Sequence, residues 1–176
     1  MFIAGIDYSL NAPAVCVYNG NKERPQIHEC NFYYLTKVKK YVGTFDDRFH
    51  GTEYPVYDHP VSRYTTIALW VIECLRRNRS TLYDHPVVKI EDYGFNANGR
   101  ITDLAEHMGI LKKTLYDMNI SYSKVSVSSV KKTLTGKGNA DKNTISELYK
   151  REMPSVFQLG KSPYSDCLDA WGVLLS

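Results

Sequence analysis

The sequence predicts a mixed α/β fold. Three strand-like runs open the chain, helix-periodic and strand-like segments then alternate to its end, and no internal repeat, low-complexity tract or linker divides it. With 176 residues the expectation is one domain over 1–176, large enough to bury roughly two-thirds of its unfolded surface.

Phe2 to Asp7 is a short apolar run ending in a carboxylate, and Ser9-Leu10-Asn11-Ala12-Pro13 supplies turn chemistry. Ala14 to Tyr18 resumes a strand pattern before Asn19-Gly20-Asn21, so the first two runs read as a hairpin. A third strand is expected from Ile27 to Leu35. Residues 36–60 are polar and weakly periodic and read as a loop or short irregular elements. From Arg63 to Arg79, Ile67, Ala68, Val71, Ile72 and Leu75 trace one helical face. Val87, Val88 and Ile90 make Pro86 to Glu91 a fourth strand. Leu104, Met108, Leu111 and Leu115 make Ile101 to Met118 a helix. Tyr122 to Val127 is a fifth strand, Ser128 to Leu134 a short helix and Asp141 to Glu152 another. The last helix runs from Pro163 to Leu175, with Ser162 as the expected N-cap and Pro163 at the first helical position.

Composition narrows the chemistry by exclusion. The apolar share of 43% and charged share of 23% are those of a soluble globular chain. No apolar run approaches the ~20 residues of a membrane helix. The first seven residues lack the basic region of a signal peptide, so a cytoplasmic protein is expected, without membrane partners. Cys16, Cys30, Cys74 and Cys167 are scattered, and the histidines are dispersed. Neither a zinc site, nor a disulfide framework, nor a Ser-His-Asp enzyme is indicated. Net charge is only +3, but Lys124, Lys131, Lys132, Lys137 and Lys142 concentrate in a stretch containing one acid, Asp141. The chain holds 14 tyrosines, mostly expected as half-buried packing residues, some able to stack on bases.

Acidic residues fall at architecturally notable places. Asp7 closes the first strand and Glu91-Asp92 the fourth, where mixed sheets gather ligands. A charge finishing a buried strand must be solvated, paired or metal-bound. Asp166 and Asp169 stand three residues apart and share one face of the last helix. Each has an ordinary role too: turn residue, solvated strand end, complement to a helix dipole. Together they match what hard cations such as Mg²⁺ require, namely oxygen ligands from several elements. Two such ions support phosphodiester hydrolysis with no histidine or cysteine. Strand alternation leaves open which of Glu91 and Asp92 points inward.

Gly5-Ile6-Asp7-Tyr8-Ser9-Leu10 resembles the first-strand motif of RuvC-type Holliday junction resolvases. Val87-Val88-Lys89-Ile90-Glu91 resembles their second motif, and Ser165-Asp166-Cys167-Leu168-Asp169-Ala170 their C-terminal Asp-x-x-Asp-Ala motif. Order and approximate spacing agree along nearly the whole chain, with 36–60 the least matched part. The resemblance implies an RNase H-like fold with a mixed five-stranded sheet flanked by helices. It also implies two Mg²⁺ or Mn²⁺ ions on Asp7, Glu91, Asp166 and Asp169, choosing Glu91 over Asp92, with Asp7 coordinating or bridging both. A homodimer that nicks opposing strands of a four-way junction is implied as well.

Val130-Lys131-Lys132 and Thr135 to Lys142 resemble the family's basic segment. By that match Lys131 or Lys132, with Lys142, contacts phosphate near the site, and Lys137 adds to the basic stretch. Independently, Lys142 in the first turn of a helix opposes the macrodipole unless an anion lies there. Tyr93 and Phe95 stand in a Gly- and Asn-rich loop after Glu91. Phe95 is a candidate junction wedge, one residue off the spacing of bacterial relatives. The length of 36–60 departs from the family pattern, which bears on dimer geometry and junction preference. Competing expectations are an RNase H-like nuclease for RNA/DNA hybrids, flaps, other branched DNA or structured RNA, and a non-cutting DNA-binding module. An actin-like ATPase or sugar kinase shares Gly-Ile-Asp, but Tyr8-Ser9-Leu10 is a poor phosphate turn and the chain is short for its two domains.

Overall fold

A computed structural model describes residues 1–78, 86–92 and 101–176. Its strands are β1 (Phe2–Asp7), β2 (Ala14–Asn19), β3 (Asn31–Thr36), β4 (Gly43–Phe45), β5 (Phe49–Glu53), β6 (Val87–Glu91) and β7 (Tyr122–Val125). Its helices are α1 (Pro60–Arg77), α2 (Ile101–Asp117), α3 (Val127–Thr135), α4 (Lys142–Tyr149) and α5 (Tyr164–Leu175). The strands form one sheet in the order β4-β5-β3-β2-β1-β6-β7. β2 runs antiparallel to β1 and β3, β4 is antiparallel to β5, and the pairs β1–β6, β6–β7 and β3–β5 are parallel. The C-terminal ends of β1, β3, β5, β6 and β7 therefore share one sheet edge.

The sheet is covered on both faces, and strand alternation divides the core. Ile3, Cys16, Phe32 and Tyr34 pack with α5 on one face. Ala4, Ile6, Val15, Val17, Val88 and Ile90 pack with α1 and α2 on the other. By the same alternation Asp7 and Glu91 belong to the α5 face. Gly5 lets that helix approach: a Cβ there would stand 2.3 Å from the Ala170 carbonyl oxygen and the Leu174 nitrogen. Lys89, also on this face, donates to the Leu174 carbonyl at 3.0 Å. All four cysteines are free and buried.

The mixed α/β expectation holds, but the sheet has seven strands among the described residues instead of five. The extra pair, β4 and β5, comes from residues 36–60, whose polar, weakly periodic sequence predicts a loop or short irregular elements. β4 is three residues long and β5 reads Phe-His-Gly-Thr-Glu, so neither carries an alternating apolar face. Their turn is tight: Arg48 N–H donates to the Phe45 carbonyl at 3.2 Å, and Asp46 and Asp47 both adopt positive φ. Gly51 is required where β5 meets the Tyr41 carbonyl, 2.0 Å from where a Cβ would lie.

Smaller boundaries move too. The third strand starts at Asn31, after a 3-10 turn at Ile27–Glu29. Helix α1 begins earlier than expected, with Pro60 at its first position and His59 Nδ1 accepting from Val61 N–H at 3.2 Å. Arg79, its expected end, lies outside the described residues. Helix α4 ends at Tyr149. Ser162 does not cap α5: the helix starts at Tyr164 after Pro163, and the Ser165 N–H that such a cap would serve donates to the Lys161 carbonyl at 3.0 Å.

Candidate active site

Two strand ends and one helix face converge at the sheet edge. Asp7 closes β1, Glu91 closes the neighbouring parallel β6, and α5 crosses above them with Asp166 in its first turn and Asp169 one turn on. All four carboxylates line one cavity of about 260 Å³ together with Lys131 from α3 and Lys142 from α4. Asp7 and Asp166 are 6% and 7% exposed, which is unusual for carboxylates with so few cationic partners.

Lys142 is the counter-charge. It occupies the first position of α4, whose N-cap Asp141 accepts from Thr144 N–H at 2.8 Å, and its Nζ lies 3.2 Å from Asp169 Oδ2. The N-cap carboxylate of Asp141 supplies an anion at this helix start, and Asp169 of α5 pairs the lysine itself. Burial opposes charge on Lys142, but Asp169, Asp166 and Asp7 outweigh it and raise its pKa.

The acids remain under-neutralised. Burial pushes Asp7 well above the usual carboxylate range, and Glu91, Asp166 and Asp169 push it further, against Lys142. Burial and Asp169 push Glu91 up to about 7, with Lys142 and Lys131 opposing. Burial also raises Asp166, against a hydrogen bond from Ser162 and the charge of Lys142, and raises Asp169 against Lys142 and Lys131. Asp166 Oδ2 is buried and makes no hydrogen bond. A buried orphan carboxylate oxygen beside three more acids is a demand for a cation. The all-oxygen donor set fits a hard divalent ion. Among the described residues no three acidic, histidine or cysteine side chains stand close enough together to hold a metal ion between them. Hard divalent ions often take only one or two carboxylates, the rest coming from water and phosphate oxygens.

The other sequence candidates divide. Of the two neighbouring lysines, Lys131 lines the cavity, whereas Lys132 and Lys137 are exposed and do not. Asp92 turns away to Lys124, 2.7 Å from its Nζ, and helps line an adjoining cleft of about 190 Å³. Tyr93 and Phe95 lie outside the described residues. Sequence reasoning misses Ser9 as a site residue: it lines both spaces, whereas the sequence marks it as turn chemistry within the first-strand motif. It also missed His107 of α2, whose buried ring stacks on Tyr8 with centroids 3.9 Å apart. The dispersed histidines gave no local signal for that contact.

No protein-family model matches the sequence, and no curated protein does. Solved structures do. Thermus thermophilus RuvC in complex with Holliday junction substrate superposes with a TM-score of 0.63 at 18% identity, covering 99% of this chain and 91% of that one. A second T. thermophilus RuvC structure gives 0.60 at 18% identity, covering 99% and 92%. Over nearly its whole length, then, the chain has the RuvC-type, RNase H-like fold.

Proposed function

We propose that this protein is a metal-dependent endonuclease for branched DNA, most directly four-way junctions, acting as one nuclease unit per chain and as a homodimer. The observation that carries the reading is the convergence of Asp7, Glu91, Asp166 and Asp169 with Lys131 and Lys142 on one cavity. The RuvC-type fold supports it. Asp7, Glu91, Asp166 and Asp169 would hold two Mg²⁺ or Mn²⁺ ions. Such ions supply positive charge to the transferring phosphoryl group and make water a stronger nucleophile near neutral pH.

The chain's own groups do the positioning. The rigid ends of β1 and β6 fix two carboxylates, and α5 fixes the other two from above. Lys142, whose Nζ lies 3.2 Å from Asp169 Oδ2, would neutralise charge developing on a phosphate oxygen in the cavity. Lys131 adds a second cation on the same wall. Non-cutting binding fits poorly, because it leaves four clustered acids, two of them buried, without a chemical role.

The test is cleavage of labelled four-way junctions, flaps, linear duplexes and RNA/DNA hybrids in Mg²⁺. Paired nicks on the junction, absent with Asp7→Asn while junction binding persists, are expected. Preference for a flap or hybrid would keep the chemistry and change the substrate. Unchanged cleavage by Asp7→Asn would overturn the site.

A further inference from the structure

The extra strands build something at the same sheet edge. β3 runs parallel to β1, so its C-terminal residue Thr36 lies on the edge that carries Asp7. The chain then turns through Lys37-Val38-Lys39-Lys40 before Tyr41 re-enters the core. β3 is two strands from β1, about 10 Å at the usual spacing of paired strands.

We propose that this turn, with Lys37, Lys39 and Lys40, is a second phosphate-binding surface that grips a duplex arm of the nucleic acid cut at the carboxylate cavity. The inference rests on the nuclease reading above. Three observations carry it. First, all three lysines are exposed, and none makes an ion pair among the described residues. Glu53, in register with Thr36 on β5, forms no ion pair with them among the described residues. Second, the turn is anchored at its end. Tyr41 is buried, its carbonyl accepts from the Tyr34 hydroxyl at 2.8 Å, and Gly51 packs directly against it. Lys37 Nζ sits 4.8 Å from the Tyr54 ring centre and Lys40 Nζ 4.7 Å from that of Tyr41, so two of the cations are held over aromatic faces.

Third, the placement is complementary. Lys131 and Lys142 come from α3 and α4, and the lysine turn comes from the sheet's other side, beyond β2. In the strand order, the Asp7 end of β1 therefore has the lysine turn on one side, beyond β2, while Lys131 and Lys142 line the cavity itself. Phosphates recur every 3.4 Å of axis along one strand. A duplex laid along this edge with its scissile phosphate at the cavity would carry further phosphates past the lysine turn. That gives residues 36–60 a purpose: the segment lengthens the grip without touching the cutting site.

The experiment compares wild type, the triple variant Lys37→Ala, Lys39→Ala, Lys40→Ala, and a charge-matched control Lys22→Ala, Lys113→Ala, Lys150→Ala. Binding of a fluorescein-labelled four-way junction is followed by anisotropy in EDTA over a salt series, so that no cleavage intervenes. The triple variant is expected to bind at least tenfold more weakly at about 100 mM salt, and to lower the salt slope by about 3, since each neutralised phosphate contributes roughly 0.9. The control should match wild type. Equal affinity and slope in the triple variant, or an equal loss in the control, would overturn the proposal while leaving the nuclease reading intact. Absence of junction binding and cleavage by wild type would instead defeat that reading, and this inference with it.

Discussion

Glu91 shows how tightly charge is set at this site. Burial and Asp169 lift its pKa to about 7, and Lys142 and Lys131 hold it from rising further. Removing one of those cations should therefore be visible as a titration. Lys142→Gln is expected to move the acidic limb of the cleavage pH profile to higher pH, because Glu91 then ionises later. It should also lower the maximal rate by about 10²–10³-fold, the scale of losing one electrostatic group aimed at the reacting phosphate. A lower rate with an unmoved limb would place Lys142 outside the electrostatics of Glu91. Asp7→Asn should abolish cleavage yet raise the thermal midpoint of the metal-free protein at pH 8, since it removes a buried charge opposed by three neighbouring acids. A midpoint unchanged or lowered would contradict that repulsion. Much of this site was legible beforehand. The four acids mark themselves by position, each at a strand end or on one helix face. The choice between Lys131 and Lys132 was not legible, because neighbours on a helix point about 100° apart and either could face inward.

At the scale of elements, the site depends on how closely α5 lies on β1. Gly5 marks the crossing, and a Cβ there would meet backbone atoms of Ala170 and Leu174 that cannot swing aside. Gly5→Ala is expected to lower stability by about 1–3 kcal/mol or more, the range for overpacking a filled core. It should also reduce activity by lifting Asp166 and Asp169 from Asp7 and Glu91. Gly109→Ala in α2 is the contrast: a Cβ there meets nothing within 4 Å, so urea denaturation should show a gain of about 0.5–1 kcal/mol. Destabilisation by both substitutions alike would remove the special role of the β1–α5 contact. The elements that bury an apolar face could be read from the sequence: β1 and β6 as apolar runs, α2 from Met108, Leu111 and Leu115. β4 and β5 could not. They lie at the sheet's far edge, and their stability comes from pairing with β3 and from the cluster of Tyr34, Tyr41, Phe45 and Phe49 around Phe157, more than a hundred residues later in the chain. A local pattern carries no trace of such a distant partner.

For the whole molecule, two buried groups make stability depend on pH in opposite senses. Burial, with Arg63 adding to it, lowers His107 to about 4, so the folded protein binds fewer protons here than the unfolded chain. That contribution is present above pH 6.5 and is lost as pH falls towards 4. Replacing the ring by Phe should remove it, leaving a variant whose midpoint changes less between pH 7 and 5 than wild type. The acidic cluster works the other way. Glu91 has a raised folded pKa, so the folded state holds its proton longer and stability declines as pH climbs from about 4.5 to 7. Asp7, Asp166 and Asp169 are raised in the same sense. A divalent cation bound by these acids would relieve the repulsion only once they are ionised. Mg²⁺ or Mn²⁺ is therefore expected to raise the thermal midpoint clearly at pH 8 and little at pH 5, where protons already occupy the oxygens. Asp7→Asn should shrink the increment at pH 8, and the lysine-turn variant should leave it unchanged, because its charges act on the nucleic acid and not on the metal. An equal response to metal at both pH values would mean that the ions bind elsewhere on the protein.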